Sequence, residues 1–193
     1  MSTSAKFPKV IAVVGMMGSG KGTAVEYLTK KYSWPSVYFG GMVYEEVARR
    51  GLDIVRDETA VRQDMRAKEG PAVLAKRVAV KAHELLNEGA ETVVLDGLYS
   101  WSEDKYLRQE FGNDIIMIAV VAPKKLRRQR VLERVDQRRK YTLDEVVERE
   151  IAEIENIEKG GPIAYADFYV MNDEGMKNLH RQLDRIVKDL KKS

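Results

Sequence analysis

The sequence predicts an α/β protein in three layers: a five-stranded parallel sheet flanked by helices on both faces. Three observations carry this reading. Short apolar runs alternate with longer amphipathic stretches along the whole chain. The first run, Val10-Ile11-Ala12-Val13-Val14, is continuous rather than alternating, as a strand covered on both faces requires. Glycines follow it at once, and a helical pattern begins behind them.

Residues 1–8 are polar, with a late proline, and are expected to fray. After the first strand, residues 24–31 form a helix and 36–39 a second short strand. Residues 42–50 are helical and stop at Gly51, a C-terminal cap. A helical pair over 57–68 and 72–87 is divided by Gly70-Pro71. Residues 92–95 make the third strand and lead into Asp96-Gly97. A helix over 102–111 is expected to open on Ser102 as its N-cap, and 115–121 is a strongly apolar fourth strand. Pro123 starts a basic helix reaching about residue 135. Thr142 caps the next helix, with Glu145 three residues on completing a capping box, and this helix runs to about residue 159. A fifth strand over 168–171 and an amphipathic helix over 174–191 close the chain. Such alternation implies right-handed crossovers within one sheet. It predicts a single domain over 1–193, with no internal repeat.

Composition limits the chemistry. With 193 residues, 44% of them apolar and 33% charged, the chain buries a core without staples. It has no cysteine, which removes disulfides and thiolate metal sites. Its two histidines, His83 and His180, leave little for a zinc site or a histidine-based triad. The net charge of +3 does not demand a nucleic-acid partner. No apolar stretch is long enough to span a membrane, and the run at Val10 leads into glycines rather than a cleavage site. A cytoplasmic protein is expected, with no nucleic acid or membrane partner, as a monomer or homodimer.

The sharpest signal is Gly15-Met16-Met17-Gly18-Ser19-Gly20-Lys21-Gly22-Thr23, set between a predicted strand and a predicted helix. Glycines let the backbone approach an anion, and successive N–H groups then form a concave nest. The helix N-terminus adds partial positive charge. Lys21 reaches toward the β- and γ-phosphates, and Thr23 lies where Mg²⁺ must sit. These features predict the P-loop NTPase fold, with Gly15, Gly18, Ser19, Gly20, Lys21, Gly22 and Thr23 holding ATP. Gly22 follows the lysine where Ser or Thr is usual. Asp96, at a strand's carboxyl end, is the second candidate Mg²⁺ group.

Gly-x-x-Gly-x-Gly-Lys-Gly-Thr resembles the loop of the nucleoside monophosphate kinases, such as adenylate kinases. Asp96-Gly97, Ala122-Pro123 followed by Arg130 and Arg134, and the ending Ala166 to Asn172 are similar to that family as well. Asp96 to Glu103 and Glu155 to Pro162 look like signatures of an adenylate-kinase-related group labelled as AAA-family ATPases or dephospho-CoA kinases. The resemblance implies an ATP- and Mg²⁺-dependent phosphotransferase acting on a small phosphorylated, nucleotide-like acceptor. It assigns Arg130 to the ATP base and Arg134 to phosphates. Asn172 is expected either to approach the adenine edge or to serve the turn before Asp173-Glu174. Where the family places two acceptor-gripping arginines, this chain has Tyr44 and Tyr99.

The acceptor is therefore expected within a region of about 40–88 and its neighbours, at Gly41, Tyr44, Arg66, Arg77, Tyr99 and Trp101. A short basic lid at about 135–150 would close over the nucleotide. Arg130, Arg134, Arg138 and Arg139 would stabilise the migrating charge, beside Lys21 on the donor phosphates and Asp96, which would place Mg²⁺. Dephospho-CoA kinase is the nearest alternative, with Asp96 as base. A nucleotide-binding sensor or slow ATPase is the alternative of another class. A GTPase would need an Asn-Lys-x-Asp motif, which the sequence lacks.

Overall fold

A computed structural model describes residues 7–98, 100–134 and 140–191. The order is β1 (Val10–Val14), α1 (Lys21–Tyr32), β2 (Ser36–Tyr38), α2 (Phe39–Arg49), α3 (Ile54–Glu69), α4 (Val73–Asn87), β3 (Val93–Asp96) and α5 (Trp101–Phe111). Then come β4 (Ile115–Val121), α6 (Lys124–Leu132), α7 (Leu143–Glu155), α8 (Gly160–Ala164), β5 (Phe168–Met171) and α9 (Met176–Leu190).

The sheet order is β2-β3-β1-β4-β5, and every pairing is parallel. The chain leaves β1 toward β2 and β3 on one side, then crosses to β4 and β5 on the other. That reversal leaves a crevice beyond the carboxyl end of β1, where open α/β sheets bind ligands. The register brings the strand ends level there: Val13 lies beside Asp96, Asp96 beside Tyr38, and Val121 beside Met171.

The continuous apolar run of β1 has the expected cause. Val10, Ala12 and Val14 pack into a core shared with α2, α3, α4 and α5. Ile11 and Val13 point the other way, against α1 and α9. All five residues are fully buried. Among the described residues, no helix is long and apolar enough to cross a membrane.

Several boundaries differ from the sequence reading: Phe39, expected to end the second strand, opens α2, and α3 begins at Ile54 rather than near 57. Ser100, not Ser102, caps α5: its Oγ accepts from Glu103 N–H at 3.2 Å, and the Glu103 carboxylate accepts from Ser100 N–H at 3.1 Å. A carboxylate three residues after Ser100 makes this box; three residues after Ser102 stands Lys105, which cannot close one. The basic helix ends at Leu132, and residue 135 lies outside the described residues. The helix capped by Thr142 stops at Glu155 rather than near 159, and α8 begins after a turn in which Glu158 has φ of 56°. Thr142 and Glu145 do form their box.

The Ser100 cap lies just after the Asp96-Gly97 turn. Ser100→Ala is expected to lower stability by about 1 kcal/mol, read as a shift in the urea midpoint at unchanged slope.

Candidate phosphate-binding site

The turn from β1 into α1 wraps a cradle. Ser19 N–H donates to Met16 O at 3.1 Å and closes the loop. Gly18 and Gly20 have φ of 77° and 97°, a region that disfavours side chains. A Cβ at Gly20 would fall 2.0 Å from Asn172 Nδ2, and one at Gly18 would fall 2.3 Å from Arg127 O. The loop is thus pressed from behind by α6 and by the residue that follows β5.

That support is specific. Asn172 Nδ2 donates to Ser19 O at 2.8 Å, and Arg130 Nη1 donates to Asn172 O at 3.0 Å. Asn172 is buried. Its amide braces the loop rather than reaching for an adenine edge. Arg127 leans on the loop too, with Nη1 donating to Met17 O at 3.4 Å, and it pairs with Glu150 at 2.9 Å.

Gly20 is the N-cap of α1 and offers no side-chain cap, and the first turn carries no acid. The helix's first amides are therefore left for a ligand. Ser19 Oγ is buried beneath the loop without a hydrogen-bond partner. Lys21 Nζ donates to Asp96 Oδ1 at 3.2 Å, across from the end of β3. Thr23, two residues beyond Lys21, lines the same cleft. Uncapped amides, glycines a methyl group would crowd, and a lysine answered by one carboxylate fit a polyphosphate. Thr23 and Asp96 supply hard oxygen donors of the kind Mg²⁺ takes.

The cleft above the loop holds about 460 Å³. Arg130, Arg134 and Arg149 line it. Arg138, Arg139 and Tyr99 lie outside the described residues. Three lining residues escaped the sequence reading: Tyr38, Glu153 and Lys159. Tyr38 ends β2, and a strand-end search would have found it. Glu153 and Lys159 were hidden by reading α7 as continuous through residue 159.

The expected acceptor residues are more dispersed. Tyr44 is half-buried and meets Tyr38 edge-on at 6.0 Å. Gly41 faces a separate groove with Ser36, Glu45 and Lys81. Trp101 packs edge-on against Tyr165 at 5.5 Å, and Gly161 lies so close that a Cβ would sit 3.0 Å from Trp101 Cβ. Arg66 Nη2 donates to Glu103 Oε1 at 3.0 Å. Arg77 donates to Glu46 Oε2 at 3.2 Å and to Glu69 Oε1 at 2.8 Å. Both guanidinium groups are thus engaged with carboxylates. Glu46 is buried, and Arg49, Arg50 and Arg77 hold its carboxyl well below the usual carboxylate range against the opposing effect of burial.

The crevice at the sheet's reversal point and the loop within it define a P-loop protein of kinase-like fold. The chain belongs to the family described as the AAA domain, whose model matches residues 14–150, and to the UPF0200 proteins. A UPF0200 protein of Thermococcus onnurineus is 33% identical over 183 residues, covering 94% of this chain and 97% of its own. A UPF0200/UPF0201 protein of Archaeoglobus fulgidus is 34% identical over 96% of this chain, which spans only 57% of that longer relative. Among solved structures, shikimate kinase from Bacteroides thetaiotaomicron superposes with a TM-score of 0.60. It is 14% identical, with 94% of this chain and 97% of the other covered, a likeness of fold.

Proposed function

We propose that the protein is an ATP-dependent phosphotransferase that acts on a small acceptor. One observation carries this reading: the uncapped amides at the start of α1 face a cleft whose other wall is basic, with Arg130, Arg134, Arg149 and Lys159. Such a wall suits the charge that develops on a migrating phosphoryl group. The loop amides and Lys21 would hold the donor phosphates of ATP. Thr23 and Asp96 would hold Mg²⁺, which neutralises phosphate charge when bound. Arg130 and Arg134 would orient the transferred group, and the cleft would limit access of water.

A phosphorylated, nucleotide-like acceptor would lie between α2–α4 and the start of α5, near Tyr44 and Trp101. A second reading, an acceptor taken through a hydroxyl as in dephospho-CoA kinase, is favoured by the pairing of Arg66 and Arg77 with carboxylates. There Asp96 would accept the hydroxyl proton. A cytoplasmic location fits both readings.

Product analysis separates them. The protein is incubated with ATP-Mg²⁺ and a panel of nucleoside monophosphates, dephospho-CoA and small hydroxy acids. A nucleoside diphosphate that carries the γ-phosphoryl group of ATP supports the first acceptor class, and a new phosphate ester on an acceptor hydroxyl the second. Slow ADP release, indifferent to every acceptor, would replace the phosphotransferase with a nucleotide sensor.

A further inference from the structure

The phosphate cleft contains an ion pair that the loop motif does not call for. Glu153, near the end of α7, reaches into the loop, where Met17 N–H donates to its Oε2 at 3.0 Å. Its other oxygen, Oε1, accepts a short hydrogen bond from Lys159 Nζ. The Lys159 side chain is only 2% exposed, although it lines the cleft. Burial lowers its pKa, Glu153 opposes that, and Lys21 and Arg62 lower it further by repulsion.

Two lysines from separate elements, Lys21 on α1 and Lys159 ahead of α8, thus line the cleft beside the loop, while Arg62 on α3, itself paired with Glu58, adds repulsion at Lys159. A buried lysine among like charges needs an anion to be retained. The Glu153 carboxylate supplies one, and it does so from the position of a ligand. An amide of an anion nest accepts a carboxylate or a phosphoryl oxygen by the same charge-assisted bond.

The backbone on both sides of the lysine is fixed. Lys159 N–H donates to Glu153 O at 3.0 Å, closing the turn. Glu158, just before it, keeps a left-handed φ of 56° that a non-glycine residue adopts at a cost of about 1 kcal/mol. Gly161, just after it, is seated against Trp101. The Glu153 side chain, at 17% exposure, is more open to solvent than that of Lys159.

We propose that Glu153 is an internal placeholder for a phosphoryl group. In the free protein it occupies the Met17 amide and neutralises Lys159. When nucleotide binds, it yields both to the outermost phosphate, so that Lys159 becomes a second phosphate-binding lysine beside Lys21. This inference rests on the nucleotide-binding reading above.

The test is calorimetric titration of ATP and of ADP into the wild type, Glu153→Gln, Lys159→Met and the double variant. Glu153→Gln is expected to bind ATP about tenfold more tightly, since the internal competitor is gone. Lys159→Met is expected to bind ATP about tenfold more weakly and to lose preference for ATP over ADP by a similar factor. The double variant removes both buried charges together and so preserves folding. It must show the same loss of preference, which keeps the test decisive if Glu153→Gln folds poorly. Unchanged ATP affinity in folded Glu153→Gln, or an unchanged ATP-to-ADP ratio in both lysine variants, overturns the placeholder. Wild type that binds ATP in a Lys21-dependent way alongside those results leaves the phosphotransferase reading standing. Wild type that binds no ATP removes both.

Discussion

Replacing Lys21 by alanine is expected to reduce phosphoryl transfer by roughly a thousandfold while the fold survives. Lys21 sits in the first turn of α1, and its ammonium lies 3.2 Å from Asp96 at the end of β3. Both side chains are partly exposed, at 20% and 23%, so their ion pair contributes about 0–1 kcal/mol to stability. The variant should therefore melt close to the wild type. Its loss should appear in kcat with the best acceptor, because the charge it answers is greatest as the phosphoryl group moves. Lys21→Arg should restore little, since a planar fork does not replace a point charge on a flexible stem. Turnover within a few-fold of wild type in Lys21→Ala would count decisively against the mechanism.

The second large effect is structural. Glu46 on α2 is buried and receives three guanidinium groups: Arg49 at 2.6 Å, Arg50 at 2.7 Å and Arg77 at 3.2 Å. Arg50 also pairs with Asp64 on α3, and Arg77 with Glu69 at the end of α3. One carboxylate thus ties α2 to α3 and α4. Glu46→Ala removes the buried anion on which the three guanidinium groups converge and leaves Arg50 and Arg77 with Asp64 and Glu69 alone, and a loss of about 3 kcal/mol is expected. In a chain of this size that lowers Tm by about 6–12 °C, which differential scanning calorimetry measures directly. The linkage has a definite sign. The folded carboxyl is held below its ordinary value of 4.5, so its contribution is complete above that value. It is lost as pH falls from 4.5 toward the folded pKa. The wild type should lose stability in that acid window, and Glu46→Gln should lose less of it. A Glu46→Gln melt that tracks the wild type across the window would remove this account.

How much of this was legible in the sequence depends on how far each interaction reaches. The β1 run announced its own burial, because both faces of a parallel strand must be apolar. The loop was legible because glycine, lysine and threonine spacing along one short turn is enough to define an anion cradle. Arg66 and Arg77 were legible as basic residues but not as occupied ones. Their partners are 37 and 31 residues away, and only packing of α2, α3, α4 and α5 brings them together. Asn172 was read as an adenine or turn residue, and its contact with Ser19 was not legible, because it depends on the fold of Gly20, which has no side chain to announce it. Lys159 was missed for a local reason. Periodicity carried α7 onward, whereas the turn at Glu158 ends it and sends the next residue inward.

The central position of β1 has one more consequence. A strand bonded along both edges is freed only when the whole sheet comes apart. The anion cradle is rooted in that strand, so its ordering entropy is met during folding rather than at the encounter with a ligand. A small, charged molecule entering the cleft would find the backbone of the cradle already set, with the Glu153 side chain to displace.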